Sequence, residues 1–260
     1  MLDPAEVRQP NLPLFAACEA LLDFAKSHRP SAPADDDTAR VLLHRTYIRA
    51  SKGYQALFKL AYDGYGSQSF VIGRTVYEDM LVAHWIFLSP THAPAKFRRY
   101  ERLSRHRLRK AYLKVGLSFK EQTYPSVAPA ELQRLEEEFK RNQHWTGKTM
   151  RQLHDAVKTE FSEPDSHRRL LQQVQEIIHA LSNLAVHHSY LSLDAAAPVL
   201  PDGRRFADVG ASPTFVPQAL FIGFFSYYHL VLLLLPEQHH QELLNVWTQH
   251  HGAFTTSRPA

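Results

Sequence analysis

The chain has 260 residues, 44% of them hydrophobic and 22% charged, a balance that excludes a disordered chain and supports one large domain with a sizeable core. Its single cysteine, Cys18, excludes an intrachain disulfide, and the opening MLDPAEVRQP lacks the basic and apolar regions of a secretory signal, so a reducing cytoplasm is expected. The net charge is only +4, but residues 96–114 hold nine Lys or Arg against Glu101 alone, which makes that stretch +8 and the remainder −4.

In chain order, Asn11 to His28 carries Leu14, Phe15, Cys18, Leu21, Leu22 and Ala25 at helical spacing and ends in the Pro/Ser linker that begins at Arg29. Asp35, Asp36 and Asp37 place negative charge at the start of a second helix running to about Asp63, where Gly64 and Gly66 stop it. Ser67 to Pro90 is apolar on nearly every side and long enough for about six turns, so it reads as the central helix, capped by Ser67 or Ser69 and closed by Pro90. The basic stretch forms a third long helix, roughly Ala95 to Val115. Pro129 opens a shorter helix, Ala130 to Arg141, whose acid run Glu136 to Glu138 reads as surface.

After Pro164 a long helix reaches about Leu193, with Leu170, Val174, Ile177, Leu181, Leu184 and Leu191 as its apolar stripe. Three prolines between residues 194 and 213, with Pro201-Asp202-Gly203 among them, predict a long loop that closes as a small hairpin. Phe215 to Leu235 has the length of a membrane span, but Gln218, Ser226 and His229 interrupt it, so a buried core helix is expected and no membrane contact. Glu237 to His250 forms the last helix. Together these elements predict an all-α bundle, since only helix-on-helix layers bury such stripes.

Several chemistries fail on spacing. Gly147-Lys148-Thr149 imitates the end of a P-loop, but Asn142 stands where its first glycine belongs and no strand precedes it. Sixteen histidines suggest metal, yet there is no His-Glu-x-x-His, and the pairs His239-His240 and His250-His251 lie on a polar face; neither a metal nor a cofactor is expected. No Gly-x-Ser-x-Gly elbow and no dinucleotide fingerprint occurs.

Two constellations remain. Arg74 and Glu78, four residues apart, share a stripe with Leu81, Trp85 and Leu88, so both charges are expected to point inward, as a structural ion pair or as a polar pocket holding a phosphate or carboxylate. Ser182 to Ser189 ends the long helix in polar groups: Asn183 and His187 lie on a flank of the apolar stripe and His188 lies in its middle. The basic helix, with Arg98, Arg102, Arg105 and Arg109, is a candidate nucleic-acid footprint; a solvated helix face has the same composition.

The order Arg74, Glu78, Trp85, Pro90, then Trp145-x-Gly147, then Asn183-x-x-x-His187-x-Ser189 resembles a bacterial domain family of unknown function with an Arg-x-x-x-Glu helix, a Trp-x-Gly motif and a late Ser-x-x-x-His-x-Ser motif. The resemblance covers roughly residues 40–235, and that family is similar to the HEPN superfamily of all-α bundles, many of them ribonucleases in toxin–antitoxin and phage-defence systems. It implies a homodimer, an RNA or nucleotide ligand, a cognate antitoxin or defence partner, and metal-independent cleavage. Asn183 and His187 match the HEPN signature, whereas Ser182 stands at its arginine position, so Arg74 would have to stabilise the phosphorane charge. The motif selects His187 and the helical wheel selects His188. A non-catalytic HEPN-like binding module is the other reading.

Overall fold

The computed structural model describes residues 3–34, 38–118, 120, 123–124, 126–139, 144–160, 165–185 and 214–256. All regular structure among them is helical, as the periodicity predicts. A short helix that the sequence reading omits, α1 (Pro4–Arg8), is set by a capping box in which Asp3 accepts from Ala5 N–H at 2.8 Å and Glu6 accepts from Asp3 N–H at 3.1 Å. The amphipathic α2 (Leu12–Ser27) follows after a single 3₁₀ turn and buries Leu14, Phe15, Cys18 and Leu21.

The centre of the bundle is made of α3 (Thr38–Tyr62), α4 (Gly66–Leu88) and α9 (Val216–Leu234). Between them lie α5 (His92–Lys114), α6 (Pro129–Glu138), α7 (Met150–Glu160) and α8 (Asp165–Ala185); α10 (His240–His250) and α11 (Gly252–Thr256) end the chain. The central helix packs chiefly on α3 and α9, and more lightly on α7 and α8. Leu57, fully buried on α3, fits between two helix faces that lack side chains: its methyls lie 3.1 Å from where a Cβ on Gly73 would stand and 2.8 Å from one on Gly223. Tyr54 stacks on Tyr227 at 4.5 Å across the same seam. One helix among the described residues, α9, is long and apolar enough to cross a membrane, and 72% of its most apolar window is buried inside the bundle, as a core helix requires.

Two local expectations are corrected. Neither Ser67 nor Ser69 caps α4: the cap position is Tyr65, and Ser69 Oγ lies inside the first turn, donating to Tyr65 O at 2.8 Å. A cap side chain gives way there to close packing, because a Cβ on Gly66 would come within 1.8 Å of the Thr214 carbonyl oxygen at the start of α9. On α8 the buried line is His167, Leu171, Val174 and Ile178, while Leu170, Ile177 and Leu181 are only partly covered. The helix is thus rotated by about one residue from the stripe read in the sequence. The small hairpin expected at residues 194–213 lies outside the described residues.

Away from this core, α5 and α6 enclose a second cluster, Leu103, Val127, Leu135 and Phe139. Pro129 is the first residue of α6, as predicted.

Candidate functional site

The charges on α4 divide differently from the sequence expectation. Arg74 Nε donates to Glu78 Oε1 at 3.1 Å, but both side chains are 33% exposed, so the expected pair forms at the surface of the bundle rather than within it. The inward carboxylate is the next residue, Asp79, which is only 1% exposed. It is answered from α3: Arg49 donates through Nε to Asp79 Oδ2 at 3.1 Å and through a terminal nitrogen to Oδ1. The bidentate fork fixes the guanidinium plane, while the Arg49 side chain remains 67% exposed. Arg49 also feels Glu78; burial pulls its pKa down and that carboxylate pushes it back up.

The turn that carries the Trp-x-Gly motif joins this face. Trp145 is buried edge-on against Phe97 of α5, with ring centres 5.2 Å apart. Gly147 adopts φ +75°, a left-handed backbone that a side chain disfavours, and Lys96 Nζ closes beneath it on Thr146 O at 2.9 Å. Lys148 Nζ lies 5.0 Å over the Trp85 ring of α4. The turn is therefore pinned to α4 and α5 at once. It holds His144, whose Nδ1 meets Thr146 Oγ1 at 3.0 Å. Burial first, and then the positive charge of Arg49, bring the His144 pKa down to about 4, so its ring is neutral at pH 7.

These contacts gather Arg49, Arg74, Glu78, Asp79 and His144 on one face of α3 and α4. Of the five, sequence reasoning found only Arg74 and Glu78. Asp79 was hidden because α4 is apolar on nearly all sides, and one residue more or less along such a helix turns the side chain by about 100° without breaking any pattern. Arg49 gave no signal at all, being one of several exposed cations on α3.

The four candidate arginines of the basic helix all have partners within the chain. Arg98 donates to Thr38 Oγ1 at 2.6 Å, and Arg102 pairs with Glu131 at 2.6 Å. Arg105 pairs with Glu101 at 2.6 Å and reaches Thr123 O at 3.2 Å, and Arg109 reaches Tyr124 O at 3.2 Å. Arg99 forks onto Glu138, which draws that carboxyl below the usual range. The acid run of α6 thus includes a docking contact for α5 as well as surface. Arg98 also lines a cleft of 280 Å³ with Arg45, Glu101 and Phe97. His187 and His188 lie outside the described residues, and Asn183 is described only as a position on α8, without its side chain. Nearer the start of that helix, Gln175 Oε1 accepts from Tyr77 Oη of α4 at 2.9 Å.

The matching family model runs over residues 40–196, which span α3 to α8 and include the Trp145 turn, Arg49, Arg74, Glu78, Asp79 and His144. The chain belongs to a family of unknown function, DUF5677. The DUF5677 match ends before α9, so the core helix that completes the bundle lies beyond it, short of the span to residue 235 implied by motif resemblance. No curated protein and no solved structure matches the chain.

Proposed function

We propose that this DUF5677 chain is an HEPN-like bundle that binds phosphate groups of RNA at the face formed by Arg49, Arg74 and His144. The carrying observation is that two arginines are braced from below by carboxylates, Arg49 by Asp79 and Arg74 by Glu78, with a neutral imidazole beside Arg49. Arg74 uses its Nε on Glu78 and has no other partner among the described residues, and Arg49 uses its Nε and one terminal nitrogen on Asp79. Terminal N–H groups thus remain on both arginines for a ligand, with the Arg49 plane fixed by its fork, and such N–H groups recognise phosphate oxygens. The surplus of cations on residues 96–114 adds attraction for a polyanion at low salt.

The test is fluorescence anisotropy with labelled single-stranded RNA at two salt concentrations. Binding should weaken with salt, and Arg49→Ala with Arg74→Ala should weaken it by more than about tenfold and reduce the salt slope by about one for each phosphate that is no longer held. Equal binding by the double variant would place any RNA contact elsewhere, and no binding by the wild type would leave a nucleotide or a protein partner.

A second reading adds metal-independent RNA cleavage, with Asn183, and His187 or His188, moving protons. Its support is that α8, which carries Asn183, packs on α4, which carries Arg74. His144 is a weaker base for that step, because a pKa of about 4 lies far below the operating pH. Cleavage in EDTA by the wild type, abolished in His187→Ala or His188→Ala, would establish it. The resemblance further implies a homodimer with a cognate antitoxin or defence partner, and the lone Cys18 fits a reducing cytoplasm; light scattering at micromolar concentration tests the dimer.

A further inference from the structure

We infer that His28, His239 and Glu242 form a binding site for a divalent transition metal, most simply Zn²⁺, which ties the end of α2 to the start of α10. The three donor atoms lie within 4.8 Å of one another. His28 Nε2 is 3.2 Å from Glu242 Oε2, and His239 Nδ1 is 3.3 Å from Glu242 Oε1. Donors at about 2.0–2.2 Å from a tetrahedral zinc stand about 3.3–3.6 Å apart; each imidazole already lies about that far from one of the two oxygens of Glu242, whose exposed carboxylate can turn to present a single oxygen to both.

The hydrogen bonding of His28 leaves one ring nitrogen free to act as a ligand. Its Nδ1 is 3.1 Å from Phe24 O, and its ring stacks on the Phe24 ring at 4.3 Å. A carbonyl can only accept, so Nδ1 carries the proton and, in the neutral ring, Nε2 presents its lone pair. That lone pair is aimed at a carboxylate oxygen. A nitrogen lone pair and a carboxylate oxygen facing each other at 3.2 Å are two metal-ligating acceptors directed at one point. The bond from Nδ1–H to a backbone carbonyl is also the outer contact that orients metal-bound histidines.

His239 approaches the same carboxylate from the other side. It ends the 3₁₀ turn Glu237–His239, and Glu242 lies in the first turn of α10, so these two ligands come from one tight corner. The side-chain amide nitrogen of Gln238 donates to His239 Nε2 at 3.1 Å, so without a metal Nδ1–H faces Glu242. With the metal on Nδ1, the proton moves to Nε2 and the Gln238 amide turns its oxygen to accept it. The two histidines are half-buried and Glu242 is exposed, so an ion has a path in from solvent. Two imidazoles and one carboxylate leave coordination room for water and select a borderline ion such as zinc over calcium or magnesium. The ring centres of His28 and His239 are 4.6 Å apart, so bridging them links the end of α2 to the start of α10.

The experiment is calorimetric titration of the EDTA-treated, desalted full-length chain with Zn²⁺ at pH 7.5, beside a thermal melt with and without the ion. One equivalent should bind, and a hundredfold excess over Kd should raise Tm by about 5–10 °C. Binding should weaken by more than about tenfold in His28→Ala, His239→Ala and Glu242→Gln, and stay unchanged in His92→Ala, an exposed histidine on α5. Glu242→Gln keeps shape at an exposed position, so its metal-free melt should match the wild type even if His28→Ala, which loses the Phe24 stack, is less stable. Absence of zinc uptake would mean that His28, His239 and Glu242 hold no ion, and uptake unchanged in all three variants would place the ion on other histidines. Either result overturns the proposal.

Discussion

Arg49 and Asp79 form an ion pair with unequal surroundings: the aspartate is 1% exposed, and the arginine that neutralises it is 67% exposed. The pair joins α3 to α4, the central helix, and the Arg49 charge also reaches His144 of the Trp145 turn. Removing the arginine would leave a charged carboxylate inside the bundle with its main partner gone.

Arg49→Ala should therefore cost about 2–3 kcal/mol, somewhat less than a fully enclosed pair because water can reach the arginine side. Arg74→Ala should cost less than about 1 kcal/mol, since both members of that pair are a third exposed and already screened. Urea melts of the two variants check the ranking. A larger loss for Arg74→Ala would show that Glu78 is the inward carboxylate, as the sequence expectation has it.

That ranking also shows what could be read in the residues. Helix positions and fold class were legible because apolar side chains recur with a period of 3.6, and α2, α4, α5 and α9 fall within a few residues of where that period places them. The rotation of a helix about its axis was less legible. On α4 the inward charge is Asp79 and not Glu78, and on α8 the buried line passes through Leu171 and Ile178 and not Leu170 and Ile177. In both cases neighbouring residues are apolar enough that a one-residue rotation leaves the pattern intact. Contacts such as Arg49 with Asp79, or His28 with His239, join positions far apart in the chain and leave no local trace.

Glycine at position 66 should be intolerant of a side chain. A Cβ there would stand 1.8 Å from a backbone oxygen of Thr214, and backbone cannot rotate away as a side chain can. Gly66→Ala should cost more than about 3 kcal/mol by forcing α4 and α9 apart. Gly116→Ala is the comparison: its φ is +70° but nothing lies within 4 Å, so only the left-handed strain of about 1 kcal/mol applies. Denaturant midpoints of the two variants should differ clearly.

At Gly147 the expected loss is functional more than structural. The φ of +75° again costs about 1 kcal/mol with alanine, and the nearest atom to the new methyl is Lys96 Nζ, which can swing away. Its bond to Thr146 O would then break, loosening the turn that holds His144 near Arg49. Gly147→Ala should leave the melting transition within a few degrees of wild type while weakening RNA binding by several-fold. A binding curve that overlays the wild type would separate the Trp145 turn from the ligand.

Acid should destabilise the protein before its carboxylates titrate. Burial brings the pKa of His84 down to about 4, and burial followed by the Arg49 charge does the same for His144. His229, on α9, lies well below its ordinary value, again through burial first and then through His167 and His84 nearby. A folded pKa below the unfolded one means that the unfolded chain takes up protons that the folded chain refuses. The stability these rings contribute is therefore complete above about pH 6.5 and is lost as pH falls from there towards 4, with each fully buried neutral ring adding a slope of about 1.4 kcal/mol per pH unit. Urea melts at pH 7.5, 6.0 and 5.0 should show steadily falling midpoints. His229→Leu removes one contributor from the interior, so its loss between pH 6.0 and 5.0 should be shallower than that of the wild type by about 1 kcal/mol. Midpoints that stay level from pH 7.5 to 5.0 would mean that the rings are protonated in the folded chain and that their surroundings hold a compensating charge.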